Sequence, residues 1–573
     1  MRNAEAGTLA ELVQRQWGDH RVGLSGQDFA LSHHQVAAGA AARAALLVDL
    51  LPRGAEPHLG VLLDNTPEFP LWLSAAALAG AAVAGINPTR RGPELARDIL
   101  HTDCRVLVTE RAHLPLLDGL GLPGVRVLVT DPDNAAYAEL LAPYAAAEPG
   151  DATLGPVGPG SRLLLYFTSG STGAPKAAIC TQGRVAAAGA SLVRHFGVRE
   201  DDVHYICMPM FHGNAVIADW APALAGGAGV ALRRRFSASG FLDDVRTYRA
   251  TYFTYVGRAV QYLLATPERD DDREHRLRLG FGTEAGAVDA ARFEARFGVR
   301  LVEGYGSSEG GAAIQRTPDT PAGAIGRASP GDDLAVVDPD TGKERAAAVL
   351  DAGGRLLNGA DAIGELVNRG PSPFEGYWHH PEADAARTRG GWYWTGDLFF
   401  RDADGFLYFA GRTDDRLRVD SENLAAAMIE NILARWPDAA GVAVYAVPDP
   451  VAGDQVMAAV ALRDGVSFDP VGFGDFLASQ PDLGTKMAPR FVRVLRQLPV
   501  TATNKIHRVA LRREGFGGGE GGDEASGEAS GEASGEVWWA EPGRSGYRRL
   551  TEADRTTLLA RYGHHGRAGL LTP

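Results

Sequence analysis

The stretch Tyr166-Phe167-Thr168-Ser169-Gly170-Ser171-Thr172-Gly173-Ala174-Pro175-Lys176 decides how this chain is read. Leu163, Leu164 and Leu165 precede it, an apolar run that predicts a buried strand. Thr168 to Ala174 are all small or hydroxyl-bearing, with four hydroxyls and two glycines among them. A loop of that composition can fold backbone N–H groups and hydroxyls around a polyanion, with Lys176 adding a point charge. It differs from the common nucleotide-cradling loop, in which glycine directly precedes lysine and Ser or Thr follows. Here Pro175 precedes Lys176 and Ala177 follows. Taken alone the stretch also reads as an ordinary surface loop. The lysine, the preceding strand and partners further along the chain favour an anion site.

A chain of 573 residues exceeds the usual single-domain size, and its 45% hydrophobic content can fill large cores. The formal charge of −14, unbroken by any long basic run, argues against nucleic acid as a partner. Arg233-Arg234-Arg235 is a short exception that reads as a solvated strand end or as a patch steering an anionic substrate. Cys104, Cys180 and Cys207 form neither a disulfide framework nor a metal-ligand spacing, which fits a reducing, cytoplasmic setting. Met1 to Val13 has no apolar signal core. The longest apolar run, Leu71 to Ile86, predicts a buried helix too short to span a bilayer comfortably; peripheral membrane contact stays open.

From Val22 to Gly370, helix-like and strand-like segments alternate. Ala37 to Leu51 and Glu68 to Ala84 read as helices, while His58 to Leu63, Arg105 to Thr109 and Val125 to Thr130 read as strands. The alternation predicts an α/β fold with layered parallel sheets. A break near Gly411 opens a smaller α+β region, with a helix from Glu422 to Trp436 and strands at Gly441 to Val447 and Gln455 to Leu462. Three successive copies of Glu524-Ala525-Ser526-Gly527 then predict a flexible acidic linker, because such a repeat builds no core. The expected organisation is a large domain at 1–410, a small mobile domain at 411–512, a linker at 513–536 and a docked tail at 537–573.

Four later clusters complete the pattern. Glu303-Gly304-Tyr305-Gly306-Ser307-Ser308-Glu309 joins glycines that permit close backbone approach to a carboxylate able to hold Mg²⁺. Trp394-Thr395-Gly396-Asp397-Leu398 presents one acidic residue at an expected turn, suited to accept two ribose hydroxyls. Gly411-Arg412-Thr413-Asp414-Asp415 sits at the proposed domain break, and Pro499 to Arg508 places Lys505 near the end of the small domain. Each is weak singly; their order and spacing are distinctive.

With these motifs the chain resembles the adenylate-forming superfamily of acyl-CoA synthetases, luciferases and peptide-synthetase adenylation domains, over residues 10 to 512. Gly85 to Gly92, Phe236 to Phe241, Arg418 to Leu424 and Thr501 to Lys505 make it most similar to the fatty-acid transport protein type of long- and very-long-chain acyl-CoA synthetases. The resemblance implies ATP, Mg²⁺ and CoA as partners of a fatty acid. It makes Thr168, Ser169, Gly170, Ser171, Thr172, Gly173 and Lys176 a phosphate loop, and Gly304, Tyr305, Gly306, Ser307 and Ser308 an adenine-binding segment. Thr168 and Glu309 are implied to serve the metal, Asp397 and Arg412 the ribose, Lys505 the adenylation step and Asp414 the hinge.

The implied chemistry has two halves. A carboxylate oxygen attacks the α-phosphate of ATP, releasing pyrophosphate and leaving acyl-AMP; two anions must meet, so positioning and charge neutralisation dominate. A thiol then takes the acyl group after the small domain rotates about its hinge and opens a pantetheine passage near Ser421 and Glu422. His212 matches the family position between acyl and pantetheine pockets, although a lone histidine also reads as structural. Ser421 stands where the family carries glycine, so its side chain narrows that passage or strains the backbone. This departure keeps open a carrier protein as acceptor in place of CoA. Asn504 replaces another glycine, a milder change because Asn tolerates left-handed backbone. Phe211-His212-Gly213-Asn214 offers no acidic residue to meet an amino acid's ammonium, though Asp219 is nearby. A nucleotide-binding scaffold protein would have little use for Lys505, Glu309, Asp397 and Arg412 together.

Overall fold

The computed structural model describes residues 6–168, 176–283, 285, 287–328, 332–370, 374–413, 416–419, 422–451, 453–484, 486–500, 506–516, 535–541 and 546–565. Contacts divide the chain into two units, Met1–Arg316 with Ser372–Tyr393, and Thr317–Pro371 with Trp394–Pro573. The segment Thr317–Pro371 thus groups by contacts with the C-terminal part of the chain, although the sequence reading placed it in the expected large domain at 1–410.

The first unit holds two large sheets. One runs in the order Arg126–Val129, Val106–Thr109, His58–Leu62, Ala82–Gly85, Arg162–Thr168 and Lys176–Thr181, parallel except for its last pair. The other runs Arg300–Glu303, Leu279–Thr283, Tyr252–Val256, Val203–Ile206, Gly229–Leu232, Val22–Gly26 and Phe29–Ser32, again parallel except for the last pair. Every residue of His58–Leu62 and Ala82–Gly85 is buried, as expected of parallel strands covered by helices on both faces. Helix His33–Leu50 starts at a capping box between Ser32 and Gln35.

One sequence expectation fails here. The run from Glu68 to Ala84 is not one helix: the helix spans Glu68–Ala79, and Ala82–Gly85 is an inner strand. Gly80, at φ 76°, ends the helix in the left-handed conformation that only glycine adopts without cost. The alanine-rich run has no periodicity to separate strand from helix, so neighbouring strands decide.

In the second unit, Leu334–Val337, Gly364–Asn368, Trp392–Arg401 and Leu407–Arg412 form one sheet; the first two residues of Trp392–Arg401 belong to the first unit. A further sheet follows the order Ala439–Pro448, Asp454–Leu462, Phe491–Leu495, Glu536–Trp539 and Arg548–Arg549. Helices Ala426–Leu433 and Pro470–Ala478 pack on one of its faces through Ile429, Leu433 and Phe473. Helices Arg508–Glu514 and Glu552–His564 pack on the other through Leu511, Leu558 and Tyr562. The tail therefore contributes two strands and a helix to the second unit's core. Residues 517–534, with the acidic repeat, lie outside the described residues. The expected helix from Glu422 to Trp436 begins instead as strand Glu422–Ala425, paired with Arg416–Val419, because Ala425 is extended at φ −89°, ψ 122°. Among the described residues no helix is long and apolar enough to cross a membrane.

Candidate active site

The strand Arg162–Thr168 and its antiparallel partner Lys176–Thr181 flank the opening stretch, with Thr168 opposite Lys176. Leu163, Leu164 and Leu165 are fully buried, which fixes the root of the hairpin. Ser169, Gly170, Ser171, Thr172 and Gly173 lie outside the described residues. The segment Gly376–Trp378 runs beside the second strand: Ile179 N donates to Gly376 O at 3.0 Å, and Trp378 N donates to Ala177 O at 2.8 Å. This non-local pairing puts the Tyr377 ring 5.6 Å from the Lys176 ammonium.

Arg184, near the start of helix Gln182–Phe196, ties this hairpin to the Glu309 segment. Its guanidinium donates to Ile179 O at 3.2 Å, to Glu309 O at 3.0 Å and to Ser308 O. The glycines behind Glu309 are sterically required. A Cβ on Gly310 would meet the Arg184 guanidinium at 2.6 Å, and one on Gly311 would enter the Tyr393 ring. Gly304 has the same role, since a Cβ there would lie 2.6 Å from the Phe281 ring. Tyr305–Gly306 pairs with Ala313–Gln315, carrying the chain on to Ser307 and Ser308.

Glu309 is buried, and the Tyr377 hydroxyl donates to its Oε1 at 3.0 Å. Arg387 Nε in turn donates to the Tyr377 oxygen at 3.4 Å. Burial, with the Glu309 charge beside it, pushes the Tyr377 phenol above its ordinary range, so it stays a proton donor at neutral pH. A buried carboxylate held this way is a hard oxygen donor suited to Mg²⁺. Tyr377, Arg387 and Arg184 carry no local signal in the sequence; only the pairing of distant strands brings them to Glu309.

His212 lies in the turn before the short helix Gly213–Ala215, with its ring 4.4 Å from that of Phe211. Asn65 braces this turn, donating to Met208 O and accepting from Met210 N, both at 2.9 Å. Asp219 is committed to the fold: it accepts from Thr254 Oγ1 at 2.9 Å and pairs with His204 Nδ1 at 2.8 Å, all three groups being fully buried. Burial raises its pKa, so it is poorly suited to meet a substrate ammonium.

In the second unit Asp397 stands directly opposite Arg412, whose Nε donates to Asp397 Oδ1 at 3.2 Å. The expected turn at Asp397 is a strand interior, since Trp394, Leu398 and Phe399 are buried and hold Trp392–Arg401 in the sheet. The local bend comes from Gly396 at φ 75°, whose N–H donates to Glu365 at 2.8 Å. Lys505, Asp414 and Ser421 lie outside the described residues, as does the side chain of Glu422. The triplet Arg233-Arg234-Arg235 is neither free nor merely solvated: Arg233 pairs with Asp244, Arg234 with Glu110, and Arg235 with Asp64.

Residues 11–378 match the AMP-binding enzyme family, and residues 428–505 match the AMP-binding enzyme C-terminal domain. The chain is 47% identical to the steroid-22-oyl-CoA synthetase of Rhodococcus jostii (strain RHA1), over 570 residues that cover 99% of both chains. It is 46% identical to the medium/long-chain-fatty-acid–CoA ligase FadD17 of Mycobacterium marinum, over 84% of this chain and 91% of that one. Its fold matches the anthranilate CoA ligase AuaEII in complex with anthranoyl-AMP, with a TM-score of 0.77 over 89% of this chain and 97% of that one, at 23% identity. The chain belongs to the AMP-binding enzymes and is an adenylate-forming acyl-CoA synthetase that uses ATP, Mg²⁺ and CoA.

Proposed function

We propose that this enzyme activates a steroid whose side chain ends in a carboxylate, by way of its acyl-AMP, and transfers the acyl group to CoA. The observation that carries this reading is coverage: the similarity to the steroid-22-oyl-CoA synthetase spans 99% of both chains and so includes the tail that adds Glu536–Trp539 and Glu552–His564 to the second unit. A medium- or long-chain fatty acid is the second reading, favoured by 46% identity to the ligase FadD17 over 84% of this chain.

In this account Thr168 and the following hydroxyls hold the departing phosphates with Lys176, while Glu309 provides the carboxylate for the cation. Mg²⁺, when bound, offsets phosphate charge. Asp397 and Arg412 orient the ribose, and the segment Gly304 to Ser308 lines the adenine. Lys505 bridges the acid's carboxylate and the α-phosphate, where charge redistributes most. His212 stands between the acyl and pantetheine pockets, Asp414 provides the hinge, and Ser421 with Glu422 borders the CoA passage.

Acyl-CoA formation from a steroid C22 acid and from palmitate, compared by kcat/KM, tests the substrate. The steroid acid is expected to lead by at least about tenfold, the scale of difference that one pocket contact provides. The reverse preference would move the assignment to the fatty acid. Lys505→Ala is expected to lower acyl-AMP formation by about two to four orders of magnitude while sparing thioester formation from pre-made acyl-AMP.

A further inference from the structure

Glu309 is held from two sides by groups outside the sequence motif that contains it. Arg184 fixes its backbone carbonyl. The Tyr377 hydroxyl fixes one side-chain oxygen, Oε1, at 3.0 Å. Among the described residues Oε2 accepts no hydrogen bond from protein. Tyr377 is itself buried and anchored, its backbone N donating to Asp384 Oδ1 at 2.7 Å and its oxygen accepting from Arg387 Nε at 3.4 Å.

We propose that Tyr377 is a positioning residue for the cation carboxylate: its hydroxyl occupies Glu309 Oε1 and so presents Oε2 as a single, oriented ligand. This inference rests on the role given to Glu309 above. A carboxylate free to rotate presents either oxygen, or both, and must be ordered when the ion arrives. A phenol that donates but carries no charge fixes the rotation without cancelling the negative charge that attracts the ion. The nearby Arg387 guanidinium polarises the phenol from behind and partly offsets Glu309, which predicts weak cation binding until nucleotide phosphates add their own charge. The Lys176 ammonium over the Tyr377 ring links the same side chain to the phosphate hairpin, so the two anion-handling segments share one support.

The test is Mn²⁺ binding followed by electron paramagnetic resonance, on the full-length enzyme with a non-hydrolysable ATP analogue. Tyr377→Phe removes only the hydroxyl. It is expected to weaken Mn²⁺ binding by about ten- to a hundredfold, the range for losing one hydrogen bond to a charged group. The Mg²⁺ concentration for half-maximal pyrophosphate release should rise by the same factor, with the KM for the acid unchanged. Asp384→Ala, which loosens Tyr377 without touching its hydroxyl, should give a smaller shift in the same direction and serves if the first variant folds poorly. Unchanged Mn²⁺ affinity in the folded variants would overturn the proposal, whatever the melting temperatures do. Failure of the wild type to activate any acid would count against the proposed function alone, because the Mn²⁺ measurement needs no turnover.

Discussion

Two places in the first unit hold buried carboxylates: Asp64 with Glu110, and Glu309 alone, and the groups that orient them differ. Asp64, Glu110 and His113 are all buried, with ligand atoms within 4.8 Å of one another, a spacing that suits a metal ion. Yet protein cations already hold these carboxylates. Arg235 Nε lies 2.9 Å from Asp64, Arg234 reaches both Asp64 and Glu110, and His113 Nε2 lies 3.2 Å from Glu110 and 3.4 Å from Asp64. The adjacent Asp64 and Glu110 carboxylates lift the imidazole to about 9, so it is a cation at neutral pH. Glu309 is held by a neutral phenol. In the proposed function, what separates the closed ionic knot from the cation carboxylate is the charge of the groups that orient it, not the number of carboxylates present.

The largest expected effect follows from that distinction. Glu309→Gln should lower pyrophosphate release by about two to three orders of magnitude, since it removes a ligand that acts where phosphate charge is offset. Its melting temperature should stay within about 2 °C, because the isosteric amide still accepts the Tyr377 hydroxyl. Glu110→Gln should do the opposite: activity per folded molecule is retained, while stability falls by about 1–3 kcal/mol because the buried His113 imidazolium loses a partner, the half-exposed Arg234 contributing little. Urea unfolding of the two variants side by side would break the comparison if both lost stability and neither lost rate.

A smaller effect is the pH dependence of the knot. His113 has a folded pKa raised from 6.5 to about 9. Its contribution to stability is thus fully present below about pH 6.5 and is lost as pH rises through about 9. Melting curves from pH 6.5 to 10 should show the wild type losing more stability than His113→Gln over that window. A parallel decline in both proteins would show that the imidazole charge does not hold the knot.

How much of this was legible in the sequence depends on whether the cause is local. Leu163 to Leu165 announced the buried strand because that signal lies in consecutive residues, while most of the hydroxyl-rich run after it lies outside the described residues. The glycines around Glu309 pointed to close approach, and the structure supplies the groups that approach: Phe281, Arg184 and Tyr393. Tyr377 could not be found this way, since its place depends on Gly376–Trp378 running beside Lys176–Thr181 across nearly two hundred residues of chain. The partners of Arg233 to Arg235 were hidden for the same reason. Ala82–Gly85 was misread because an alanine-rich run suits helix and inner strand equally, and the choice was made by His58–Leu62 and Arg162–Thr168 on either side.

The most direct measurement is the number and location of bound Mn²⁺ ions in the presence of a non-hydrolysable ATP analogue, for wild type, Glu309→Gln and Glu110→Gln. A nucleotide-dependent ion is expected in the wild type, lost or greatly weakened in Glu309→Gln and retained at wild-type affinity in Glu110→Gln. An ion that survives Glu309→Gln and departs with Glu110→Gln would contradict that expectation, and would make the ionic knot the cation site.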